Sequence, residues 1–462
     1  MLNNKYNKKI QQIIILSTFS LLTNTFLFSS IKPDTIDRAS DIKKYNEILI
    51  KLNKNPKNNK IHIEKIDSLN HDINSVINLN LNFKKKINND TLLFEITPSQ
   101  NKNLNLNNIK IYNKIIKEKI NAIKNHKILQ YHNIKSISPN IAFKMQMEPN
   151  DSRYNEQWNY FEPVAGINLP EAWELSTGNK NTVIAVLDTG ITNHENLKDK
   201  ILPGKSFIND KNDENDKNDE NDYWDYGNGT SYHGTHVAGI IAANGNKLNE
   251  ISGIDWKAKI LPVKVLGDNG IGSLGAIANG IRYAAGISED NNNPAKIINL
   301  SLGAYEDECP DILQEEISRA IDEKNVTFIV AAGNSGIDAK KITPANCKGV
   351  ITVAAVNRSG SPTYYTNYGD KIDIAAPGGE QFNYYMKDGI LSTTYPGHFE
   401  YMQGTSMAAP HVSGVVALMQ SINPKLTSNK IKEILQNTSK GYVMRVGILD
   451  ANSALEYTKL IS

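Results

Sequence analysis

From Thr182 onward the chain alternates short, wholly apolar runs with longer mixed segments. The runs are VIAVLDTG, ILPVKVLG, IINLSLG, VTFIVAAGN and VITVAAVN. A run that is apolar at every position has no polar side to turn toward water. It therefore reads as a parallel strand covered on both faces. Gly234–Ala243, Gly275–Gly286 and Asp311–Lys324 lie between the runs and read as helices. This alternation predicts an α/β fold, a mostly parallel, doubly wound sheet flanked by helices. Ligands of such sheets bind at the carboxyl ends of strands, and Asp188, Ser301 and Asn334 each fall at such an end.

Residues 32–148 have another texture, rich in Asn, Lys and Ile and poor in Gly. Residues 108–128 show helical spacing and Thr91–Ile96 reads as a strand, so a small α+β domain is expected. The stretch near 145–157, with MEPNDSRYNEQW, is polar and aperiodic and reads as an exposed linker. The hexapeptide KNDEND occurs at 211–216 and again at 217–222. It cannot bury apolar area, so a solvated loop is expected there.

At 462 residues the chain is long enough for two domains. The partition expected is 1–30, 31–148 and 149–462. Hydrophobic residues make up 40% and charged residues 22%, an ordinary globular composition. The total charge of +2 hides an asymmetry. Residues 32–148 hold 21 Lys+Arg and 11 Asp+Glu, a net +10, with three lysines before them and so a net −11 after them. Opposite charges favour association of the two parts. The basic residues lack interleaved aromatics, which excludes a nucleic-acid platform.

The first 30 residues read as an export signal: Lys5, Lys8 and Lys9, an apolar stretch from Ile13 to Phe28, then Ser29 and Ser30. The apolar stretch is too short and polar for a membrane span, and no other segment qualifies. A secreted protein, extracellular or periplasmic, is expected. Cys309 and Cys347 are the two cysteines, and in an exported chain they could form one disulfide.

Three segments carry the chemistry: VLDTGI around Asp188, HGTHVAG from His233, and GTSMAAPHVSG around Ser406. Hydrolysis by serine needs a nucleophile, a base to take its proton and an acid to orient that base. Asp, His and Ser occur here in the chain order of one of the known arrangements. Ser406 precedes a helix expected over Met407–Gln420, whose N-terminus offers free amides to developing negative charge. HGTH places His236 three residues after His233 but lacks the HExxH pattern of zinc proteases, so His236 reads as structural, like His194 and His411.

The three segments resemble the signature blocks of the subtilisin-like serine protease family, over roughly Gln157 to Leu455. The resemblance implies that Asp188 orients His233, that His233 is general base and acid, and that Ser406 is the nucleophile. Asn334 matches the oxyanion-hole asparagine. Ser301, Leu302 and Gly303 match a substrate-binding strand, and Gly272, Ser273 and Leu274 the strand facing it. Cys309 and Cys347 lie where some secreted members pair cysteines beside the primary pocket. No cofactor enters the chemistry. Structural calcium is common in the family, and Gln157 and Asp199 resemble two ligand positions, although Lys247 and Glu250 replace small uncharged residues in the adjoining loop. Residues 31–148 would be a propeptide that assists folding and blocks the cleft until cut within 140–154. Ser335 and Ile342 are expected to line a neutral pocket, with Glu306, Asp307 and Asp338 close by in sequence. The partners implied are a protein or peptide substrate and the chain's own propeptide, and the enzyme is expected to be a monomer. Two rival readings are a dedicated maturase and a silent binding protein on the same scaffold.

Overall fold

A computed structural model describes residues 47–53, 63–77, 80–97 save 89, 109–140, and 148–462 save 209–220, 228–231, 247, 249, 289 and 383–385. The export segment, most of the KNDEND repeat and residues 141–147 of the expected cut region lie outside the described residues. The chain forms two compact units, Met1–Ile141 and Ala142–Ser462.

Among the described residues, the first unit is a four-stranded antiparallel sheet with two longer helices and the short helix Ile128–Tyr131. Its elements are β1 (Glu47–Leu52), α1 (Ile63–Ile77), β2 (Asn80–Lys86), β3 (Thr91–Thr97), α2 (Ile109–Lys124) and β4 (Ile134–Pro139), in the sheet order β2-β3-β1-β4. Ile48 and Ile50 alternate with more exposed neighbours, and both pack with Leu92, Phe94, Ile73 and Ile120. One covered face and one open face explain the alternation. This is the small α+β domain expected from the sequence.

The second unit is built on β5 (Val183–Asp188), α3 (His233–Ala242), β6 (Lys259–Lys264), α4 (Leu274–Ala284), β7 (Ile297–Leu300), α5 (Asp311–Lys324), β8 (Thr327–Ala331), β9 (Val350–Val356) and β10 (Ile374–Pro377). There follow the hairpin β11 (Ile390–Thr393) and β12 (Phe399–Met402), α6 (Thr405–Ile422), α7 (Ser428–Thr438), β13 (Lys440–Val443), β14 (Val446–Ile448) and α8 (Ala451–Leu460). The main sheet runs β13-β14-β10-β9-β8-β7-β5-β6 and ends on the two-residue strand Lys205–Ser206. Every pair in it is parallel except β13 with β14.

The apolar runs are explained by two cores. Ile184 and Val186 of β5 pack on one face with Val237 of α3 and Val412 and Val415 of α6. Ala185 and Leu187 pack on the other with Ile281 of α4 and Ile317 of α5. Each strand position is therefore buried whichever way it points.

The segment after residue 148 is not the exposed linker that its polarity suggests. Asp151, Tyr154, Gln157 and Trp158 are buried. Tyr154 packs against Phe161 and Trp173, and Trp158 donates to Gly389 O. Single anchors of this kind leave no periodic trace in a sequence. Among the described residues, no helix is long and apolar enough to cross a membrane.

Candidate active site

The chain enters the main sheet at β5, adds β6 on one side, then crosses back to place β7 on the other. The strand order reverses there, and a crevice opens beyond the carboxyl ends of β5 and β7. Asp188 closes β5, Ser301 follows β7, and Asn334 lies three residues past β8.

His233 is the first residue of α3. Its Nδ1 lies 2.7 Å from Oδ1 of the fully buried Asp188, while the imidazole is a quarter exposed. Tyr232, just before it, is held at φ 61° and ψ 45°, a left-handed conformation that costs a bulky side chain energy. Asp188 Oδ1 also accepts from Thr189 N at 2.8 Å. Burial works to lower the His233 pKa, but the charge and hydrogen bond of Asp188, with Asp225 behind it, outweigh burial and raise it above 6.5.

Ser406 is the second residue of α6. Its Oγ donates to Ser301 O at 3.1 Å, and Ser301 Oγ donates to Ser406 O at 2.9 Å, so the end of β7 and the start of α6 are tied reciprocally. The Ser406 hydroxyl is thus engaged with the Ser301 carbonyl. Asn334 Oδ1 accepts from both Thr405 N and Thr405 Oγ1, each at 2.8 Å. Its oxygen is thus pinned, and the residue lines the same pocket as Ser406.

A pocket of about 160 Å³ adjoins Ser406 and Asn334, lined by Leu302, Gly303, Ser335 and Ile342 among others. Its walls are the antiparallel strands Ala304–Tyr305 and Ile342–Thr343, and the disulfide between Cys309 and Cys347 joins the chain beyond them. Among the described residues, no charged side chain lines it. Glu306 and Asp307 are exposed, and Asp338 is engaged with Lys340.

Other expected site residues lie differently. Gly272 and Ser273 are loop rather than strand, and Leu274 begins α4. Ser273 caps that helix, its Oγ accepting from Ala276 N at 3.1 Å. Both ends of the Gln157 amide are taken by the Ser252 backbone, at 2.7 and 2.8 Å. Asp199 is exposed, with Lys259 Nζ on its carbonyl. The side chain that reaches this stretch of backbone is Asn196, donating to Ile251 O at 2.9 Å. Asn196 Oδ1 is buried without a hydrogen-bond partner, and an amide oxygen is an ordinary calcium ligand, so Asn196 rather than the exposed Asp199 is the side chain here with the chemistry to hold one. His236 Nε2 donates to Glu400 O at 3.1 Å, and burial lowers its pKa to about 3, which keeps it neutral.

Sequence reading missed Asp225, which lies behind the aspartate–histidine pair. It is buried and hydrogen-bonded to Thr189 and Thr235. Both threonines stand inside the signature blocks, as DTG and HGTH, and were the available signal.

A serine at a helix N-terminus, a buried aspartate on an imidazole and an oxygen-pinned asparagine amide thus stand at the carboxyl ends of one doubly wound sheet. The chain belongs to the subtilase family, whose sequence model matches residues 179–455. It is 40% identical over 335 residues to an extracellular protease of Xanthomonas campestris pv. campestris, covering 67% of this chain and 56% of that protein. It is 35% identical over 347 residues to an extracellular basic protease of Dichelobacter nodosus, covering 66% of this chain and 55% of that protein. The chain thus spans a little over half the length of these relatives. A solved structure of a protease from Pseudoalteromonas arctica is 38% identical, with a TM-score of 0.63, covering 68% of this chain and 100% of that one.

Proposed function

We propose that this protein is a secreted serine endopeptidase, made as a zymogen, that cuts protein or peptide substrates after a neutral, apolar residue. The observation that carries this reading is the 2.7 Å contact of His233 with buried Asp188, on the same sheet ends as Ser406 and the pinned Asn334 amide. In the reaction His233 Nε2 takes the Ser406 Oγ proton while Oγ attacks the scissile carbonyl. Asn334 and the Ser406 backbone N–H hold the developing oxyanion. His233 then gives its proton to the leaving amine. A water, deprotonated by the same imidazole, releases the acyl group from Ser406. Asp188 stays ionised and steadies the imidazolium. No step needs a metal or cofactor.

The neutral pocket supports an apolar residue before the scissile bond and counts against a maturase that requires a basic one. The names of the two extracellular relatives support secretion. The size and position of the first unit, and its charge opposite to that of the rest, support a propeptide. Residues 31–462 should be expressed with Ser406 and with Ser406→Ala, and the products weighed by mass spectrometry. The intact protein is expected to shed about 110–125 residues and then label with a fluorophosphonate, while Ser406→Ala stays full length and unlabelled. A matured protein that does not label would be a silent scaffold.

A further inference from the structure

Asp225 lies between β5 and α3, 1% exposed, and peptide hydrolysis as described above leaves it without a task. Three donors converge on it. Thr189 Oγ1 and Thr235 Oγ1 reach its Oδ2 at 3.0 and 3.2 Å, and Gly227 N reaches its Oδ1 at 3.1 Å. The directions are forced. Thr189 Oγ1 accepts from Gly234 N at 3.0 Å, and Thr235 Oγ1 accepts from Thr192 N at 2.9 Å. A hydroxyl has one proton, so each threonine, having accepted from the main chain, sends that proton to Asp225. Oδ2 must therefore be an acceptor, which a carboxylate supplies and the amide nitrogen of an asparagine does not.

The positions of the two threonines give this carboxylate its reach. Thr189 follows Asp188 at the end of β5, and Thr235 stands two residues after His233 in the first turn of α3. One buried carboxylate thus ties together the two chain segments that carry the aspartate–histidine pair. We propose that Asp225 is a positioning residue, which locks Asp188 against His233 through Thr189 and Thr235 and adds its negative charge behind the imidazole. This rests on the reading of the site as a serine peptidase.

The charged groups around it agree. Asp188 acts on it from β5 and Lys264 from β6, and it acts in turn on His233 of α3. Lys264 does not pair with Asp225. Its ammonium is spent on Thr189 O and Trp224 O, each at 3.1 Å, and on Asp268 Oδ1 at 2.6 Å. Lys264 acts on Asp225 only through its charge, while the hydrogen bonds of Asp225 go to the clamp. Burial, then the charge of Asp188, pushes its pKa up to about 6, so it is ionised at neutral pH. Its charge is among the influences that raise the His233 pKa.

The test compares the mature enzyme with Asp225→Asn, Thr235→Val and Thr235→Ser. Rates are normalised to active sites counted with a fluorophosphonate, so that misfolded protein does not enter. Asp225→Asn is expected to lose tenfold or more in kcat with KM nearly unchanged, and to move the acid limb of kcat/KM down by about half a pH unit. Thr235→Val keeps the charge but loses one tie, so kcat should fall while the limb stays. Thr235→Ser should restore the turnover lost in Thr235→Val. Wild-type kcat and an unmoved limb in Asp225→Asn would overturn the proposal. If Asp225→Asn yields no active sites, unchanged turnover per site in Thr235→Val overturns it instead. Wild-type protein that does not label would sink the peptidase reading, a different result from either.

Discussion

Asn334 shows how one side chain is committed before any substrate arrives. Its oxygen is held twice by Thr405, which fixes the amide in advance of the oxyanion role proposed for it. Preorganised donors act on the transition state more than on the bound substrate. Asn334→Ala is therefore expected to lower kcat on the order of 10²–10³-fold with little change in KM, a magnitude measured on subtilisin, a protein of this family. A rise in KM at constant kcat would show instead that Asn334 binds the ground state. The proposed triad and this asparagine could be nominated from sequence because their chemistry confines each to a short block: DTG, HGTH, GTS and AAGN. Asp225 was not, because it stands in DENDYWDYG among acids of no distinguishing spacing. Only the fold reveals that two threonine protons end on it. Asp199 misled for the converse reason. A carboxylate stood near a plausible position, while the residue folded inward is Asn196.

At the scale of elements, the site depends on how closely α3 approaches the end of β5. Gly234 makes that approach possible, since a Cβ there would lie 2.2 Å from Gly190 O and 3.1 Å from the Asp188 Cβ. The obstacle is backbone and cannot turn aside. Gly234→Ala must push the start of α3, and His233 with it, away from Asp188. An error of about 1 Å in a catalytic group can cost 10²-fold, so kcat per titrated site should fall by about that factor while the near-UV circular dichroism is kept. Wild-type turnover would mean that α3 absorbs the methyl elsewhere. The strands around this contact were plain in the sequence because burial on both faces demands apolar residues at every position. The segment 148–158 was not. It is held by Tyr154, Gln157 and Trp158 at irregular intervals, and irregular anchoring looks like a linker. Ser273 shows a finer miss, since an extended residue before a helix can be a cap as readily as a strand.

For the whole molecule, the response to acid follows from groups whose protons differ between folded and unfolded chain. Burial lowers the pKa of His236 to about 3 and of His411 to about 4. From pH 6.5 down to 4 the unfolded chain binds two protons that the folded one refuses. Stability is thus lost as pH falls, by up to about 1.4 kcal/mol per pH unit for each histidine. Asp225 works in the opposite sense. Its pKa is raised from 3.8 to about 6, chiefly by burial, so between these values the folded chain binds one proton more. Its contribution is fully present below pH 3.8 and is lost as pH rises through 6. Asp255, also raised by burial, acts in the same direction. The aspartates therefore offset much of the histidine loss between pH 6 and 4. Asp225→Asn removes one of the offsets. In a Ser406→Ala background, which prevents self-digestion, urea unfolding at pH 7, 6, 5 and 4 should show stability falling more steeply from 6 to 4. The added slope should approach about 1.4 kcal/mol per pH unit. A slope equal to that of the parent would mean that Asp225 carries the same charge across this range and offsets none of the histidine loss.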